Sequence, residues 1–244
     1  NNANGQATIV ERTDEYVIAQ TDPGYLPDLT DEKYYPADSR YVEAFHPGQT
    51  VPFADIEFSS IEYLGDGRHK CTFGSANSRE LAVGGKITLR GSGTSVVVLT
   101  DCDGVRFEDF SIISGAGFGF QERNGEGGTE LYRVAITTKA APVLPEGFDT
   151  SKYADGLIWT DAEGRLRGPQ PLLSTCDATH STNMRRGPQV VNCLFEKMTD
   201  DATNISGEFG CVTGANAEMR QITYKKGDNY YEGLPAEFRA GDTA

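Results

Sequence analysis

The stretch TDCDGVRFEDF (residues 100–110) consists of a polar turn, a short strand and a charged tip, and it decides the fold. GGTELYRVAI (127–136) repeats this order, so that Val105 and Leu131 lie 26 residues apart. After a long interruption, GPQVVNCLFE (187–196) gives the pattern a third time. A period of roughly 20 to 30 residues is typical of a parallel β-helix, whose coils stack short strands on one another.

The rest of the chain also favours strands. Short β-rich runs bounded by Gly, Asn, Asp and Pro recur from Asp55 to Tyr224, and no long stretch shows helical spacing. The fold class is therefore all-β, and a parallel β-helix competes with a sandwich or barrel. The latter two predict tight Asn-Gly or Asp-Gly hairpin turns, which only Asp66-Gly67 and Asn124-Gly125 fit loosely.

The pattern also divides the chain into parts. Residues 1–54, rich in Tyr, Asp and Pro, are expected to form an N-terminal cap or the remnant of a preceding β domain. Residues 55–224 are expected to form the coils, with residues 139–172 inserted between two coils as a surface loop or hairpin. Residues 225–244 are expected to be a C-terminal tail or the start of further coils.

Composition excludes several function classes. The 244 residues carry a formal charge of −14, which argues against nucleic acid and anionic membranes as partners. No apolar run approaches the ~20 residues of a membrane helix. The five cysteines form no C-x-x-C pair and the histidines number three, so we expect buried free thiols and no metal site.

Two acidic segments carry the chemistry. DATHS (177–181) and DDATNIS (200–206) place Asp177 and Asp200 23 residues apart, about one coil. Because stacked strands lie ~4.8 Å apart, Asp177 is expected beside Asp200 and Asp201. Such crowding raises the pKa of at least one carboxyl and separates a general acid from a general base, as glycoside hydrolysis requires. The alternative is that these aspartates only form solvated turns.

Four other residues are candidates for substrate binding. His180 could orient a carboxylate or bind a sugar hydroxyl, and Arg185 could hold a carboxylate. Asn204 could contact substrate, and Trp159 could stack on a sugar ring. Each also has a structural interpretation: a satisfied buried histidine, a solvated turn arginine, a member of an asparagine ladder and a packed loop aromatic, respectively.

The blocks DATHS (177–181), NCLFE (192–196) and DDATNI (200–205) resemble the signature of glycoside hydrolase family 110, most densely over residues 174–207. The resemblance implies a right-handed parallel β-helix and an exo-acting, inverting α-1,3-galactosidase that uses no metal or other cofactor. It also implies that Asp177 is the general acid, while Asp200 and Asp201 activate water. The substrates would be glycans that end in α-1,3-linked galactose.

Two further function classes stay open. One is another β-helix carbohydrate enzyme, such as a polygalacturonase-like hydrolase, although the acidic charge argues against acidic polymers. The other is a non-catalytic carbohydrate-binding β-helix. We expect an oligosaccharide partner, no nucleic acid and no membrane, and a homodimer is compatible with the sequence. The expected location is secreted or periplasmic in a bacterium, although no signal peptide is visible in this chain.

Overall fold

The computed structural model describes residues 4–35, 42–91, 93–153, 155–207, 210–218 and 221–226. These residues form β-strands and a short 3₁₀ helix at Asn77–Glu80, which confirms the all-β class. Within the described ranges, no helix has both the length and the apolar character needed to cross a bilayer.

The first part of the chain forms one antiparallel sheet of seven strands, in the spatial order β4–β3–β7–β1–β2–β6–β5. The strands are β1 (Gly5–Arg12), β2 (Tyr16–Thr21), β3 (Val42–Phe45), β4 (Ala54–Ile56), β5 (Phe58–Gly65), β6 (Arg68–Phe73) and β7 (Lys86–Leu89).

The two faces of this sheet differ, because side chains alternate along each strand. One face is apolar and packs against Leu29, Tyr35 and Leu81. The opposite face carries polar side chains that are nevertheless buried, such as Glu43 and Thr88. Buried polar side chains on this face show that another part of the chain covers it.

The expected boundary between residues 54 and 55 is wrong. Within residues 54–89, β4, β6 and β7 form antiparallel ladders with β3, β2 and β1, respectively, and β5 pairs with β6, so all four strands belong to the same sheet. The error has a physical cause: alternation with period two is the same in parallel and antiparallel strands, so the pattern does not give the direction of pairing.

Beyond residue 96 most pairing is parallel, and the chain visits three sheets in turn. The sheets are β8–β11–β16–β19, β9–β12–β17 and β10–β13–β18. We call each passage through the three sheets a rung. The rungs are β8 (Val97–Thr100), β9 (Arg106–Glu108) and β10 (Ser111–Ile113); β11 (Phe120–Arg123), β12 (Glu130–Tyr132) and β13 (Ala135–Thr137); and β16 (Thr179–Thr182), β17 (Gln189–Val191) and β18 (Leu194–Phe195), after which β19 (Thr203–Ser206) follows.

Apolar side chains fill the space between the three parallel sheets. Ile136 is fully buried and lies in register between Ile112 and Phe195 of the neighbouring rungs. The rings of Phe107 and Phe120 pack edge to face, with centroids 4.9 Å apart. This interior fixes which side chains of each strand point outward.

Residues in the left-handed conformation turn the chain at the ends of the rung strands. The residue directly after each of seven rung strands has a φ between 52° and 59°. The seven are Asp101, Asp109, Ser114, Asn124, Arg133, Asn183 and Asn192. Five of them are Asp or Asn, the residue types that tolerate this conformation best after glycine.

Two hairpins depart from the parallel pattern. Within the insertion at 139–172, β14 (Trp159–Thr160) pairs antiparallel with β15 (Leu166–Arg167). At the other end of the rungs, β20 (Gly210–Asn216) pairs antiparallel with β21 (Gln221–Lys226), where further coils were expected up to residue 224. Of the expected tail at 225–244, residues 227–244 lie outside the described part of the chain.

The polar face of the antiparallel sheet contacts the segment that leads into β16. The backbone N–H of Leu172 donates to Gln6 Oε1 at 2.9 Å, and Phe45 packs in a buried cluster with Leu172 and Leu173. The sheet is therefore positioned directly against the start of the third rung, where the candidate acids lie.

Candidate active site

The acidic segments precede two neighbouring strands of one parallel sheet. Asp177 lies before β16, and Asp200 and Asp201 lie before β19, with His180 opposite Asn204 in the ladder. Because the backbone N–H of Ala178 donates to the carbonyl of Asp201 at 3.0 Å, the ladder extends back to the acids. Its 24-residue register aligns Asp177 with Asp201, one of the two aspartates expected beside it.

The structure nevertheless brings Asp177 and Asp200 together. A carboxylate oxygen of each residue and the Cys176 Sγ atom all lie within 4.8 Å of one another. The expected convergence of carboxylates from adjacent rungs is therefore present in the geometry.

Asp177 is enclosed by hydrogen-bonding groups, and only 2% of its side chain is exposed. Its Oδ2 atom lies 2.6 Å from Nδ1 of His180, and its Oδ1 atom accepts the backbone N–H of Asp201 at 3.4 Å. The Cys176 thiol lies 3.6 Å from the same Oδ1 atom. The buried Asp177 carboxylate therefore links its own segment to the segment that contains Asp201.

Asp200 and Asp201 are instead exposed. The side-chain amide of Asn204 donates to Asp201 Oδ2 at 2.9 Å, which orients that carboxylate. The pKa of Asp200 is raised, first by desolvation and then by the negative charges of Asp177 and Asp201, although Arg90 opposes the shift. Of the candidate acids, Asp200 combines access to solvent with a raised pKa.

The antiparallel sheet contributes residues that the sequence analysis missed. The Nη1 atom of Arg90, directly after β7, donates to Cys176 Sγ and, at 3.4 Å, to Thr199 Oγ1. Glu43 on β3 faces Asp55 on β4 in register, and its Oε2 atom accepts a 3.4 Å hydrogen bond from Thr88. Burial and Asp55 raise the pKa of Glu43 to about 7, with a further contribution from Asp200.

The alternation in KITLR (86–90) is the signal that could have revealed this contribution. It places Lys86, Thr88 and Arg90 on one face of a strand, which indicates a polar surface against a second layer. The sequence does not say what that face covers at Arg90, because Cys176 and Thr199 lie more than 80 residues away in the chain.

His180 contacts Asp177, but its ring is almost completely buried. Its ring stacks on Phe118, with centroids 4.4 Å apart, and only 8% of its side chain is accessible. In the same sheet it lies in register between Gln121 and Asn204. This environment fits the orienting role considered for His180 better than direct sugar contact.

Arg185 and Trp159 do not join the acids. Arg185 follows the opposite end of β16 from Asp177, and its Nε atom lies 3.5 Å from Glu126 Oε1. Trp159 lies in the β14–β15 hairpin. The chain that flanks this hairpin, at Gly168 and Pro142, approaches Pro23 and Gly24, which follow β2. Arg90 and Glu43, which lie near the acids, come instead from β7 and β3 of the sheet.

The donor set does not favour a metal ion. Cys176, Asp177 and Asp200 offer the converging ligand atoms found among the described residues. However, the Arg90 guanidinium donates to Cys176, and burial raises the pKa of that thiol to about 11. A protonated thiol beside a fixed cation is a poor site for a second cation.

No protein-family model matches this chain, and no curated protein is significantly similar to it.

Proposed function

We propose that the protein is an inverting, exo-acting glycoside hydrolase that releases terminal α-1,3-linked galactose from oligosaccharides or glycoconjugates. The observation that carries the proposal is the cluster of three carboxyl groups, in which Asp200 is exposed and has a raised pKa beside the buried Asp177 and the exposed Asp201. Paired carboxyl groups with different proton affinities are what glycosidic cleavage requires. The choice of galactose and of the α-1,3 linkage rests on the resemblance of residues 174–207 to family 110.

For the fold, we propose a right-handed parallel β-helix. The three parallel sheets, visited in the same order on each rung, support this architecture. The handedness follows the general rule that crossover connections between parallel strands are right-handed.

The geometry favours a different division of roles from the one that the resemblance implies. With 2% of its side chain exposed, Asp177 is too enclosed to reach a glycosidic oxygen as general acid. Its separation from Asp200 is also shorter than the ~6.5–9.5 Å between the two carboxyl groups of an inverting enzyme. Asp177 is thus better suited to hold the Asp201 backbone and the His180 ring in place.

We assign proton donation to Asp200 and activation of water to Asp201. Asp200 transfers its proton to the glycosidic oxygen as the bond from that oxygen to C1 breaks. Asp201 accepts a proton from water, whose oxygen forms the new bond to C1 from the opposite face. The raised pKa of Asp200 and the Asn204 hydrogen bond to Asp201 support these roles.

The test is to incubate the protein with Gal-α-1,3-Gal and to follow the released galactose by proton NMR. We expect β-galactose to appear first and then mutarotate. If α-galactose appears first, inversion is wrong, and if only pectic oligomers are cleaved, a polygalacturonase-like hydrolase replaces this proposal. Absence of any turnover of galactosides contradicts the proposed activity.

Variants assign the roles. Asp200→Asn and Asp201→Asn are each expected to lower kcat by about 10²–10⁴-fold, the usual contribution of a general acid or base. Asp101→Asn is the matched control, because Asp101 is exposed, lies at a rung turn and has a φ of 54°, which Asn tolerates. Equal losses in all three variants would contradict the assignment.

A further inference from the structure

A single guanidinium from the antiparallel sheet contacts both acidic segments. Arg90 Nη1 donates to Cys176, the residue before Asp177, and to Thr199, the residue before Asp200. The two segments are also joined directly, because the backbone N–H of Thr199 donates to the carbonyl of Thr175 at 3.0 Å. Arg90 therefore bridges two neighbouring rungs, next to the positions of Asp177 and Asp200 in the backbone.

We propose that Arg90 is a positioning residue of the candidate active site, and that the antiparallel sheet supplies it to fix the Asp177 and Asp200 segments and to hold a positive charge beside Asp200. Its role in turnover rests on the proposed function. Its electrostatic role does not, since it concerns the protein alone.

The charges around Asp200 explain why a fixed cation matters there. Asp177 and Asp201 approach Asp200 from the two rungs, and Glu43 and Asp55 approach from β3 and β4. The Cys176 thiol also lies in this cluster, and the ring of His180 contacts Asp177. Asp177, Asp201 and Asp55 thus favour a proton on Asp200, and Arg90 is the cation that opposes them.

The side chain is also suited to this task by its shape. A guanidinium stays charged at all relevant pH values and donates several hydrogen bonds in one plane. It can therefore bind the Cys176 and Thr199 side chains while its charge acts on Asp200. A lysine would keep the charge but would offer a single, more flexible donor group.

The sheet holds Arg90 from its other side. Arg90 follows β7, an interior strand of the sheet that lies between β3 and β1. Its neighbour Leu89 is fully buried in the apolar core of the sheet. Arg90 is thus anchored by a packed strand and not by a surface loop, as a positioning residue requires.

The decisive experiment measures the titration of Asp200 without requiring turnover. The protein is labelled with ¹³C at the aspartate carboxyl carbons, and the Asp200 signal is assigned by its loss in Asp200→Asn. In Arg90→Met the titration midpoint of Asp200 is expected to move up by about one pH unit, since an opposite charge at close range is removed. Arg90→Lys is expected to restore most of the wild-type midpoint.

Arg12→Met is the matched control, because Arg12 lies on the same sheet and its guanidinium donates to the backbone of Arg79. It removes the same charge and is expected to leave the Asp200 midpoint in place. If Arg90→Met does not fold, Arg90→Gln, which keeps a hydrogen-bonding side chain, replaces it. An unchanged Asp200 midpoint in a folded variant without the Arg90 charge overturns the proposal.

Kinetics then separate this proposal from the proposed function. If the wild type cleaves galactosides, Arg90→Met should lower kcat more than it changes KM and move the alkaline limb of kcat to higher pH, because a general acid with a higher pKa keeps its proton longer. If the wild type is inactive while the Asp200 midpoint shifts, the proposed function fails and the role of Arg90 stands. If the wild type is active and the midpoint does not shift, the proposed function stands and the role of Arg90 fails.

Discussion

Nδ1 of His180 lies 2.6 Å from Oδ2 of Asp177, and less than a tenth of either side chain is exposed. His180 is part of β16, whereas Asp177 lies just before that strand. The contact therefore ties the candidate acid cluster to the regular ladder that stacks the rungs.

His180→Ala should destabilise the protein. The substitution leaves the buried Asp177 carboxylate without its ring partner, which costs about 3 kcal/mol in comparable buried pairs. Urea unfolding followed by circular dichroism measures the loss. His46→Ala is the control, since His46 is exposed and mainly stacks on Phe53, and it should cost under about 1 kcal/mol. Similar losses in both variants would contradict a special role for the Asp177 pair.

Glu43→Gln should stabilise the protein in a pH-dependent way. The pKa of Glu43 is raised in the folded protein from 4.5 to about 7, so the folded state holds this proton when the unfolded state has lost it. Wild-type stability is therefore lost as the pH rises from about 4.5 to about 7, by about 3 kcal/mol in total. Glutamine keeps the Thr88 hydrogen bond but does not ionise.

The measurement is the free energy of unfolding of Glu43→Gln and of the wild type at pH 4 and pH 8. We expect similar values at pH 4, apart from a constant offset, and a clear advantage of the variant at pH 8. A difference that is the same at both pH values would show that Glu43 does not hold its proton.

Ile136→Ala should test the packed interior of the rungs. Ile136 is fully buried between Ile112 and Phe195, so truncation leaves a cavity and is expected to cost about 3 kcal/mol. Ile113→Ala is matched to it, because Ile113 lies in the neighbouring strand of the same sheet but is 53% exposed. Thermal or urea unfolding should separate the two variants by about 2 kcal/mol or more, and equal effects would contradict the described rung interior.

Asn204→Ala should impair turnover without unfolding the protein. The amide of Asn204 holds Asp201 Oδ2, and loss of a hydrogen bond to a charged group is expected to lower kcat about tenfold. Ser206→Ala on the same strand is the control, since its hydroxyl contacts Thr182 instead. If kcat of Asn204→Ala equals that of the control, Asn204 does not orient the base.

The repeats in the sequence located the parallel part of the fold. TDCDGVRFEDF, GGTELYRVAI and GPQVVNCLFE contain β9, β12 and β17, and these three strands form one parallel sheet. The sequence pattern repeats because the equivalent strands of successive rungs bury side chains at equivalent positions. The spacing of about one coil predicted that Asp177 lies beside Asp200 and Asp201, and the exact register of 24 between β16 and β19 comes from the structure.

Only part of the candidate site could be predicted from the sequence. Asp177 and Asp200 could be found because one rung separates them and stacking brings them together. Arg90 and Glu43 could not, because their approach depends on how the antiparallel sheet lies against the rungs. Arg185 was chosen for its place between the two acidic segments in the chain, and Trp159 for the stacking of aromatic rings on sugars. In the structure Arg185 lies near Glu126, and Trp159 pairs within the β14–β15 hairpin.

The polar face of the antiparallel sheet has a thermodynamic consequence. Since Arg90 belongs to the sheet and contacts residues on the rungs, opening of either part removes groups that the other part needs. A sugar that binds only the assembled acids would then slow amide hydrogen exchange in β3 and β7. Affinity for the ligand and the local stability of residues 42–89 would thus both depend on the equilibrium between the assembled and the opened site.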